Sequence, residues 1–400
     1  MRISTLQLFQ QGINAIQEQQ AKLQQTELQL ATGLRFRNPS EDPAAAVKVL
    51  DLQSKIDLIN QYSRNSTIAQ ATLAFEESVV VSVQNNLQRI RELVIQGNNA
   101  ATAGSARQSI AAEIYQRLDE LVALGNTRTA QGDYIFGGFR VSSPPFVQTA
   151  GGVAYQGDQG QRMLQVGDGA QVIIQDTGED VFQKIPTGDG FIQVAADSGN
   201  TGSAIVGSFG LTGNFVPDTY TVTFNQATPA DPITYTVTDG TATVIQTGTY
   251  VEGNSIGFAG AQFTVTGTPA DGDSVVLSPS VNQSLFATVK SIADALAGTS
   301  PSAAGKAKFH NIMNQGLANL DQGLEKVSSI RAGSGARLNN IETLDDINQD
   351  FKLQLQTTLS ETRDLDFTEA ISRFNLQLTS LQAAQQAYIQ TTGLSLFQFL

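Results

Sequence analysis

Both ends of the chain carry apolar residues at a spacing of seven, and the middle of the chain does not. Near the N-terminus this series contains Phe9, Ile16, Leu23 and Leu30, and near the C-terminus a matching series contains Phe374, Leu381 and Tyr388. A heptad stripe on a single helix stays in contact with water unless another helix covers it. We therefore predict that the two ends pair with each other, or with the ends of a neighbouring copy.

Such a stripe could also form only the internal core of the chain. That interpretation is favoured for the heptads of residues 52–94, which lie far from either end. For residues 1–34 and 366–400 we favour assembly, because both stripes reach the extreme ends of the chain. The predicted assembly interface consists of Leu6, Phe9, Ile13, Ile16, Leu23, Leu30, Leu34, Ile371, Phe374, Leu378, Leu381, Tyr388, Leu396 and Phe399.

The composition excludes several kinds of site. The chain has no cysteine, which excludes a disulfide framework, a thiolate metal site and a cysteine nucleophile. No stretch reaches the roughly 18 consecutive apolar residues of a membrane span. The first twenty residues have neither an apolar run of signal-peptide length nor a small-residue cleavage site. If the protein is exported, we expect a route that removes no leader, and we expect no cofactor.

The negative charge of the chain lies in its middle. Of the formal net charge of −13, residues 141–289 carry −11, since they hold two basic residues against thirteen acidic ones. Nucleic-acid binding requires clustered Lys and Arg, so we expect no nucleic-acid partner. An acidic middle instead favours solubility on a water-facing surface.

Breaker and capping residues divide the N-terminal part into three predicted helices. The first covers about residues 5–31 and ends before Gly33. The second begins after Asp42, a plausible N-cap followed by proline at the first helical position, and ends at residues 97–99. A helix rises about 1.5 Å per residue, so this second helix would span roughly 80 Å. The third is predicted for residues 105–131.

The middle of the chain has the composition of β-structure. Residues 132–280 are rich in Gly, Thr, Val, Asp and Pro, and residues 167–169 are typical of a hairpin turn. Helix returns near residue 284, with predicted breaks at 298–301 and 333–335. Strands are predicted at 204–211, 219–225, 233–238, 243–250, 262–266 and 274–277.

These elements predict an α+β fold that is mainly helical. Long coiled-coil helices from both chain ends would form a rod, with an inserted β domain at its tip. We predict three domains: a terminal coiled-coil assembly domain, a helical rod domain with a β-hairpin, and an outer β domain. Their boundaries are 1–36 with 366–400, 37–190 with 281–365, and 191–280.

Four segments resemble the bacterial flagellin family. LATGLRFRNPSEDPAAA at residues 30–46 and LQRIRELVIQGNNAA at 87–101 are similar to its helical junction segments. The proline-containing NPSEDPAAA, QGDYIFGGFRVSSPPF at 131–146, and the ending of residues 366–400 resemble the hook-associated branch more than the flagellins. The resemblance covers about residues 1–190 and 282–400, and the segment between them carries no family pattern.

The resemblance implies a structural role and no enzymatic activity. Proteins of this branch form a ring of copies at the hook–filament junction and connect hook-associated protein 1 to flagellin. They leave the cell unfolded through the flagellar export channel, with an export chaperone as a further partner, and reside in the extracellular flagellum. The alternative within the family is a flagellin, the filament subunit itself.

Motifs that could indicate another class of protein have simpler explanations. Residues 253–257 match the G-x-S-x-G nucleophile elbow, but that motif requires a histidine, and the single one, His310, lies in a distant segment. We interpret the motif as a turn and His310 as a packing or surface residue. Residues 271–273 lack the spacing of a calcium loop and are also predicted to form a turn. A hydrolase or adhesin on a coiled-coil stalk would need a catalytic pair or aromatic groove in residues 191–280, and neither is evident.

Overall fold

The computed structural model describes residues 5–99, 104–298 and 300–397, except for the side chains of residues 5, 6, 8 and 391–397. Helices form both ends of the described part of the chain, and the strands lie between them. The helices are α1 (Thr5–Thr32), α2 (Pro43–Asn98), α3 (Gly104–Gly125), α4 (Gly178–Phe182), α5 (Leu285–Ala297), α6 (Ala303–Arg363) and α7 (Phe367–Phe397).

The strands lie between α3 and α5 and pair in antiparallel fashion. They are β1 (Phe146–Thr149), β2 (Gly152–Tyr155), β3 (Met163–Gly167), β4 (Ala170–Ile173), β5 (Ile185–Pro186), β6 (Ile192–Ala196), β7 (Ile205–Leu211), β8 (Tyr220–Asn225), β9 (Thr234–Thr238), β10 (Val244–Thr249), β11 (Ser255–Phe258), β12 (Ala261–Thr266), β13 (Ser274–Pro279) and β14 (Asn282–Gln283). The predicted fold class, with helical chain ends and an inserted β region, is confirmed.

The chain forms two compact units. Unit 1 consists of Met1–Asn65 with Thr343–Leu400, and unit 2 is Ser66–Glu342. Helices α2 and α6 contribute residues to both units, because each of them runs past a unit boundary. The predicted three-domain division stays a prediction.

Local capping sets two helix starts, of which the sequence predicts that of α2, whereas the break between α6 and α7 at residues 364–366 was not predicted. The Ala45 amide donates to the Asp42 carboxylate at 3.0 Å, so Asp42 satisfies one of the free N–H groups at the start of α2. At the start of α7, Asp366 accepts from the amides of Thr368 and Glu369 at 2.8 and 3.2 Å. These caps begin two helices without help from distant parts of the chain.

Two predicted helix ends are wrong. Helix α3 ends at Gly125 instead of residue 131, because the Asn126 side chain donates to the Phe146 carbonyl and accepts from the Phe146 amide. Helix α6 continues through residues 333–335, where a break was predicted. Each glycine costs a helix only about 1 kcal/mol, and contacts on both sides hold the helix: Arg331 donates to Gln84, and Arg337 donates to Asp176.

Helix α5 packs into notches that glycines leave on its neighbours in unit 2. A Cβ atom added at Gly316 of α6 would lie 2.6 Å from Ile292, and one at Gly323 would lie 2.8 Å from Leu285. The two glycines and the two side chains share a spacing of seven, so one heptad face fits the other. Leu285 and Ile292 are completely buried as a result.

A cluster of phenylalanines joins this helical layer to the β1–β4 region. Phe182 lies 5.4, 5.1 and 5.3 Å, between ring centroids, from Phe136, Phe146 and Phe286. All four side chains are buried. These four phenylalanines therefore complete the hydrophobic core of the unit 2 helices without a contribution from another subunit.

The β region of residues 191–280, called here the β insert, has its own core. A five-stranded sheet in the order β10-β9-β8-β13-β6 and a three-stranded sheet in the order β11-β12-β7 contribute to it. Phe224 and Phe263 are completely buried in this core. Strands β6 and β11 were not predicted, and β11 includes Ser255 of the segment interpreted as a turn.

Helix α6 covers an edge of the β insert with asparagine side chains. The Val206 amide donates to Asn311 at 2.7 Å, and the side chains of Asn311 and Asn314 donate to the carbonyls of Ala204 and Val206 at 3.0 and 3.1 Å. A free strand edge exposes unpaired N–H and C=O groups that invite another strand. The two asparagines satisfy these groups and attach the insert to α6.

The acidic residues of the β insert hold its turns. Asp273 accepts from the amides of Thr201, Gly202 and Ala270. The other six carboxylates of the insert each accept at least one backbone N–H in the same way, and they belong to Asp197, Asp218, Asp231, Asp239, Glu252 and Asp271. Turn chemistry accounts for the negative charge of this region.

Candidate assembly interface

The two chain ends form an antiparallel helix pair within unit 1. The rings of Phe9 in α1 and Tyr388 in α7 meet edge to face, with 6.3 Å between their centroids. Further along, the Gln19 side chain donates to the Gln377 carbonyl at 3.4 Å. Residue numbers rise along α1 as they fall along α7, so the heptads of the two helices meet in register.

The base of the pair is fixed by backbone hydrogen bonds. The Arg35 amide donates to the Arg363 carbonyl at 2.8 Å, and the Leu365 amide donates to the Gly33 carbonyl at 2.9 Å. Gly33 has a φ of 68°, a conformation that disfavours residues with a side chain. This short β-like bridge connects the end of α1 to the segment between α6 and α7.

The middle of the pair is polar. Thr26 is buried, and its hydroxyl lies 2.9 Å from the Gln377 amide oxygen, to which it donates. Polar residues in a helix–helix seam define register and weaken the seam. The sequence pattern identified neither Thr26 nor Gln377, because only apolar positions at heptad spacing were counted.

The structure separates the predicted interface residues into two sets. Eight of them lie buried or half-buried along the pair: Phe9, Ile16, Leu23, Leu30, Leu34, Phe374, Leu381 and Tyr388. Three are exposed, namely Ile13, Ile371 and Leu378. Phe399 and the side chains of Leu6 and Leu396 lie outside what the structure describes.

The exposed set results from the width of the apolar stripe. Successive residues of a helix are about 100° apart, so Ile371 and Leu378 lie roughly 40–60° around α7 from Phe374. Helix α1 covers the Phe374 side of the stripe and leaves Ile371 50% exposed. Phe367, at the start of α7, is exposed to a similar extent. We call Phe367, Ile371 and Leu378 the exposed flank of α7.

Charges on the pair are few and lie at its surface. Lys22 pairs with Glu18 at 2.7 Å and Arg373 pairs with Glu369 at 2.8 Å, each one helical turn apart. The hydrogen bond and charge of Lys22 lower the pKa of the Glu18 carboxyl. Exposed pairs of this kind contribute little to stability, so the apolar and polar seam contacts hold the pair.

The other candidate residues of the sequence lie in ordinary structural positions. The Ser255 hydroxyl donates to Gln262 across strands β11 and β12, and Asp271 and Asp273 accept turn amides. His310 is half-buried, with Nδ1 2.7 Å from the Asn98 side-chain oxygen. Burial first, and then the charge of Arg107, lower the pKa of His310.

The described residues contain no group of three or more His, Asp or Glu side chains placed to hold a metal ion. None of their helices has an apolar stretch long enough to cross a membrane.

The chain is similar to known flagellar proteins over its whole length. Flagellar hook-associated protein 3 of Escherichia coli (strain K12) is 28% identical over 398 residues, which covers 100% of this chain and 99% of that protein. Phase 1 flagellin of Salmonella naestved is 33% identical, but only over 123 residues, which cover 30% of this chain and 24% of the flagellin.

Family and structure comparisons agree with this similarity. Residues 3–140 match the family described as the bacterial flagellin N-terminal helical region. The crystal structure of flagellar hook-associated protein 3 from Legionella pneumophila is 32% identical, has a TM-score of 0.74, and covers 78% of this chain and 97% of that one. The chain therefore belongs to the hook-associated protein 3 family of bacterial flagellar proteins.

Proposed function

We propose that this protein is a structural subunit of the bacterial flagellum at the hook–filament junction. Copies of the chain form a ring that connects hook-associated protein 1 to the flagellin filament. The role is mechanical, and no catalytic step is part of it. Full-length similarity to hook-associated protein 3 supports the place in the flagellum, and the terminal helix pair supports the assembly.

The observation that carries this proposal is the exposed flank of α7. Phe367, Ile371 and Leu378 are apolar, lie on one side of one helix and are exposed in the single chain. Contiguous exposed apolar residues on a soluble chain are typical of an interaction site. In a closed ring each subunit contacts the next through two different surfaces, so no subunit is left with an unpaired interface. Burial at such an interface removes the exposed flank of α7 from water.

The remaining members of the predicted interface belong to the same proposal. The residues along the α1–α7 seam shape the pair, and the exposed flank of α7, with Ile13 of α1, contacts neighbouring subunits. Leu6, Leu396 and Phe399 continue these stripes toward the two chain ends. We further propose that the protein is exported unfolded with the help of a flagellar export chaperone.

Ile371→Asp tests the exposed flank directly. In the monomer the new carboxylate stays in water, so the helix pair keeps its contacts. In the ring it would be buried without a partner, which costs several kcal/mol. In a strain that carries only this variant, we expect hooks without filaments and flagellin released into the medium, as seen by electron microscopy and immunoblotting.

Two matched variants separate assembly from folding. Ser380→Asp places the same charge about 180° around α7 from Ile371, and we expect normal filaments. Leu381→Asp disrupts the seam inside the chain, so we expect it to lose both assembly and terminal helix content by circular dichroism. Normal filaments with Ile371→Asp in place would contradict the proposed interface.

The β insert should be dispensable for the junction. Its two ends are adjacent, since Ile192 faces Pro279 in the sheet and the Ser280 amide donates to the Phe191 carbonyl at 2.9 Å. We expect cells with a short Gly/Ser linker in place of residues 192–280 to keep swimming, at reduced speed. Complete loss of filament attachment, with the shortened protein exported and folded, would show that the insert makes an essential contact.

A flagellin remains the second candidate function, since flagellins share the N-terminal helical region. The limited 123-residue extent of the flagellin similarity disfavours it. Immuno-gold labelling of intact flagella separates the two functions. We expect label at one position between hook and filament, whereas label along the whole filament would identify a flagellin.

A further inference from the structure

Unit 2 contains a carboxyl group that the assembly role does not use. Glu76 of α2 is completely buried. One of its oxygens, Oε1, accepts from the Asp176 amide at 2.9 Å, and the other, Oε2, has no hydrogen-bond partner. A buried ionised carboxylate with an unpaired oxygen is strongly disfavoured, so the surroundings of Glu76 favour its protonated form.

The amide bonded to Glu76 belongs to a short segment between β4 and α4. Residues 174–177, called here the connecting segment, follow directly on β4 and precede α4. Thr177 caps α4 by accepting from the Asp180 amide. Ile174, Gln175 and Thr177 are buried. The connecting segment is therefore packed into the protein interior, where it joins the β3–β4 hairpin to α4.

Helix α6 holds the connecting segment from the other side. Nη2 of Arg337 donates to both oxygens of Asp176, at 2.7 and 2.9 Å, and Nη1 donates to the Ile173 carbonyl at 3.4 Å. The connecting segment thus lies between Glu76 of α2 and Arg337 of α6. The next charged pair along α2, Glu77 with Arg331 of α6, lies 3.4 Å apart and is more exposed.

The charges that act on Glu76 oppose one another. Burial raises the pKa of its carboxyl to about 8, and the neighbouring Asp176 carboxylate adds to that increase. The hydrogen bond from the Asp176 amide and the positive charge of Arg337 lower the pKa less strongly. Arg337 donates its hydrogen bonds to Asp176 and Ile173, so its charge offsets only part of the effect of burial on Glu76. Glu76 is therefore predominantly protonated at neutral pH.

We propose that the connecting segment is a proton-dependent latch, which closes between α2 and α6 with Glu76 protonated and opens when Glu76 loses its proton. Closing takes up one proton, because an exposed glutamate in the open form is ionised at neutral pH. Opening frees the Asp176 amide from Glu76 and loosens the attachment of the β3–β4 hairpin and α4 to the helices.

The direction of the pH effect follows from the raised pKa. Below the ordinary glutamate pKa of 4.5 both forms are protonated, so the closed form carries no penalty there. Between 4.5 and about 8 only the open form loses its proton, so opening becomes more favourable as the pH rises. The effect reaches at most about tenfold per pH unit and levels off above the pKa of the closed form.

Hydrogen exchange of the full-length protein measures this opening. For the amides of residues 174–177, the protection factor, corrected for the intrinsic pH dependence of exchange, should fall by up to about 100-fold from pH 6 to pH 8. Glu76→Gln keeps a neutral side chain that can still accept the Asp176 amide. We expect its protection factor to be independent of pH over this range.

Glu77→Gln is the matched control, since it removes the neighbouring carboxylate and leaves Glu76 in place. We expect it to retain the pH dependence of the unmodified protein. The same pH dependence in Glu76→Gln would overturn the latch, as would a protection factor of the unmodified protein that does not change with pH.

A second measurement needs no change at Glu76. The carboxyl carbon of Glu76 can be followed by NMR in the folded protein, with its resonance assigned through the backbone of residue 76. A midpoint near pH 8 supports the latch, and a midpoint in the ordinary glutamate range overturns it even if Glu76→Gln does not fold.

Discussion

The terminal helix pair and the helical core of unit 2 use the same heptad pattern and bury it to different extents. In unit 2, Leu285 and Ile292 of α5 are completely buried in the glycine notches of α6. In the terminal pair, Leu381 is the one buried side chain among the eleven predicted interface residues whose side chains are described. A heptad stripe alone does not indicate whether its partner lies in the same chain.

The number of packing partners explains the difference. Helix α5 contacts α3 and β2 and also packs into the notches of α6, so its apolar face is covered from several sides. Helix α7 has α1 as its seam partner, and one helix covers only one side of a wide stripe. The polar seam residues Thr26 and Gln377 weaken the pair further. The terminal pair is therefore the less completely buried of the two regions.

The largest expected effect of this difference is on local opening in the isolated monomer. We expect limited proteolysis to cleave residues 1–35 and 370–400 at least a thousandfold faster than unit 2, since a pair held by a single seam opens locally at a much lower free-energy cost than a core that opens only with global unfolding. Timed digestion with mass spectrometry measures this ratio. If a demonstrated monomer were cleaved equally slowly in the terminal segments and in unit 2, the proposed difference in stability between the two regions would be wrong.

A smaller effect is expected from a cavity in the core of unit 2. Phe182→Ala removes a buried ring that contacts three other phenylalanines, so the free energy of unfolding should fall by about 3–5 kcal/mol. Phe139→Ala is the control, because Phe139 is 65% exposed, and it should change stability by less than about 1 kcal/mol. Denaturant titration compares the two, and equal losses would contradict the assigned core.

The smallest effect concerns two glycines of the same helix, for which opposite signs are expected. Gly316→Ala brings a methyl group against Ile292 and should destabilise unit 2 by about 1–3 kcal/mol. Gly335→Ala meets nothing within 4 Å and should stabilise the helix by about 0.5–1 kcal/mol. Thermal unfolding of both variants tests the notch, and stabilisation by Gly316→Ala would exclude it.

Local chemistry explains which parts of the fold were predictable. The capped start of α2 at Asp42, the end of α1 before Gly33 and the β3–β4 hairpin at residues 167–169 depend on residues within a few positions of one another. The two helix ends that were predicted wrongly depend on distant partners. Asn126 ends α3 by bonding to the backbone of Phe146, and no pattern near residue 126 identifies that partner.

The candidate interface was predictable in composition and unpredictable in geometry. Heptad spacing identified the apolar residues of both ends, but Thr26 and Gln377 in the seam have no apolar pattern. Spacing also did not distinguish Leu381, which is buried in the seam, from Ile371, which is half exposed. That distinction depends on the rotation of each helix about its axis, which packing determines.

The helical ends, the inserted β region and the family follow from the amino-acid sequence alone, because periodicity, capping and family motifs are local properties of the chain. The packing of the folded chain sets which side of each stripe is covered, how Asn311 and Asn314 attach the β insert to α6, and why Glu76 is buried beside Asp176. Each of these depends on residues that are about 100 or more positions apart in the chain. Only the packed chain brings such residues together, so no local pattern could have predicted their contacts.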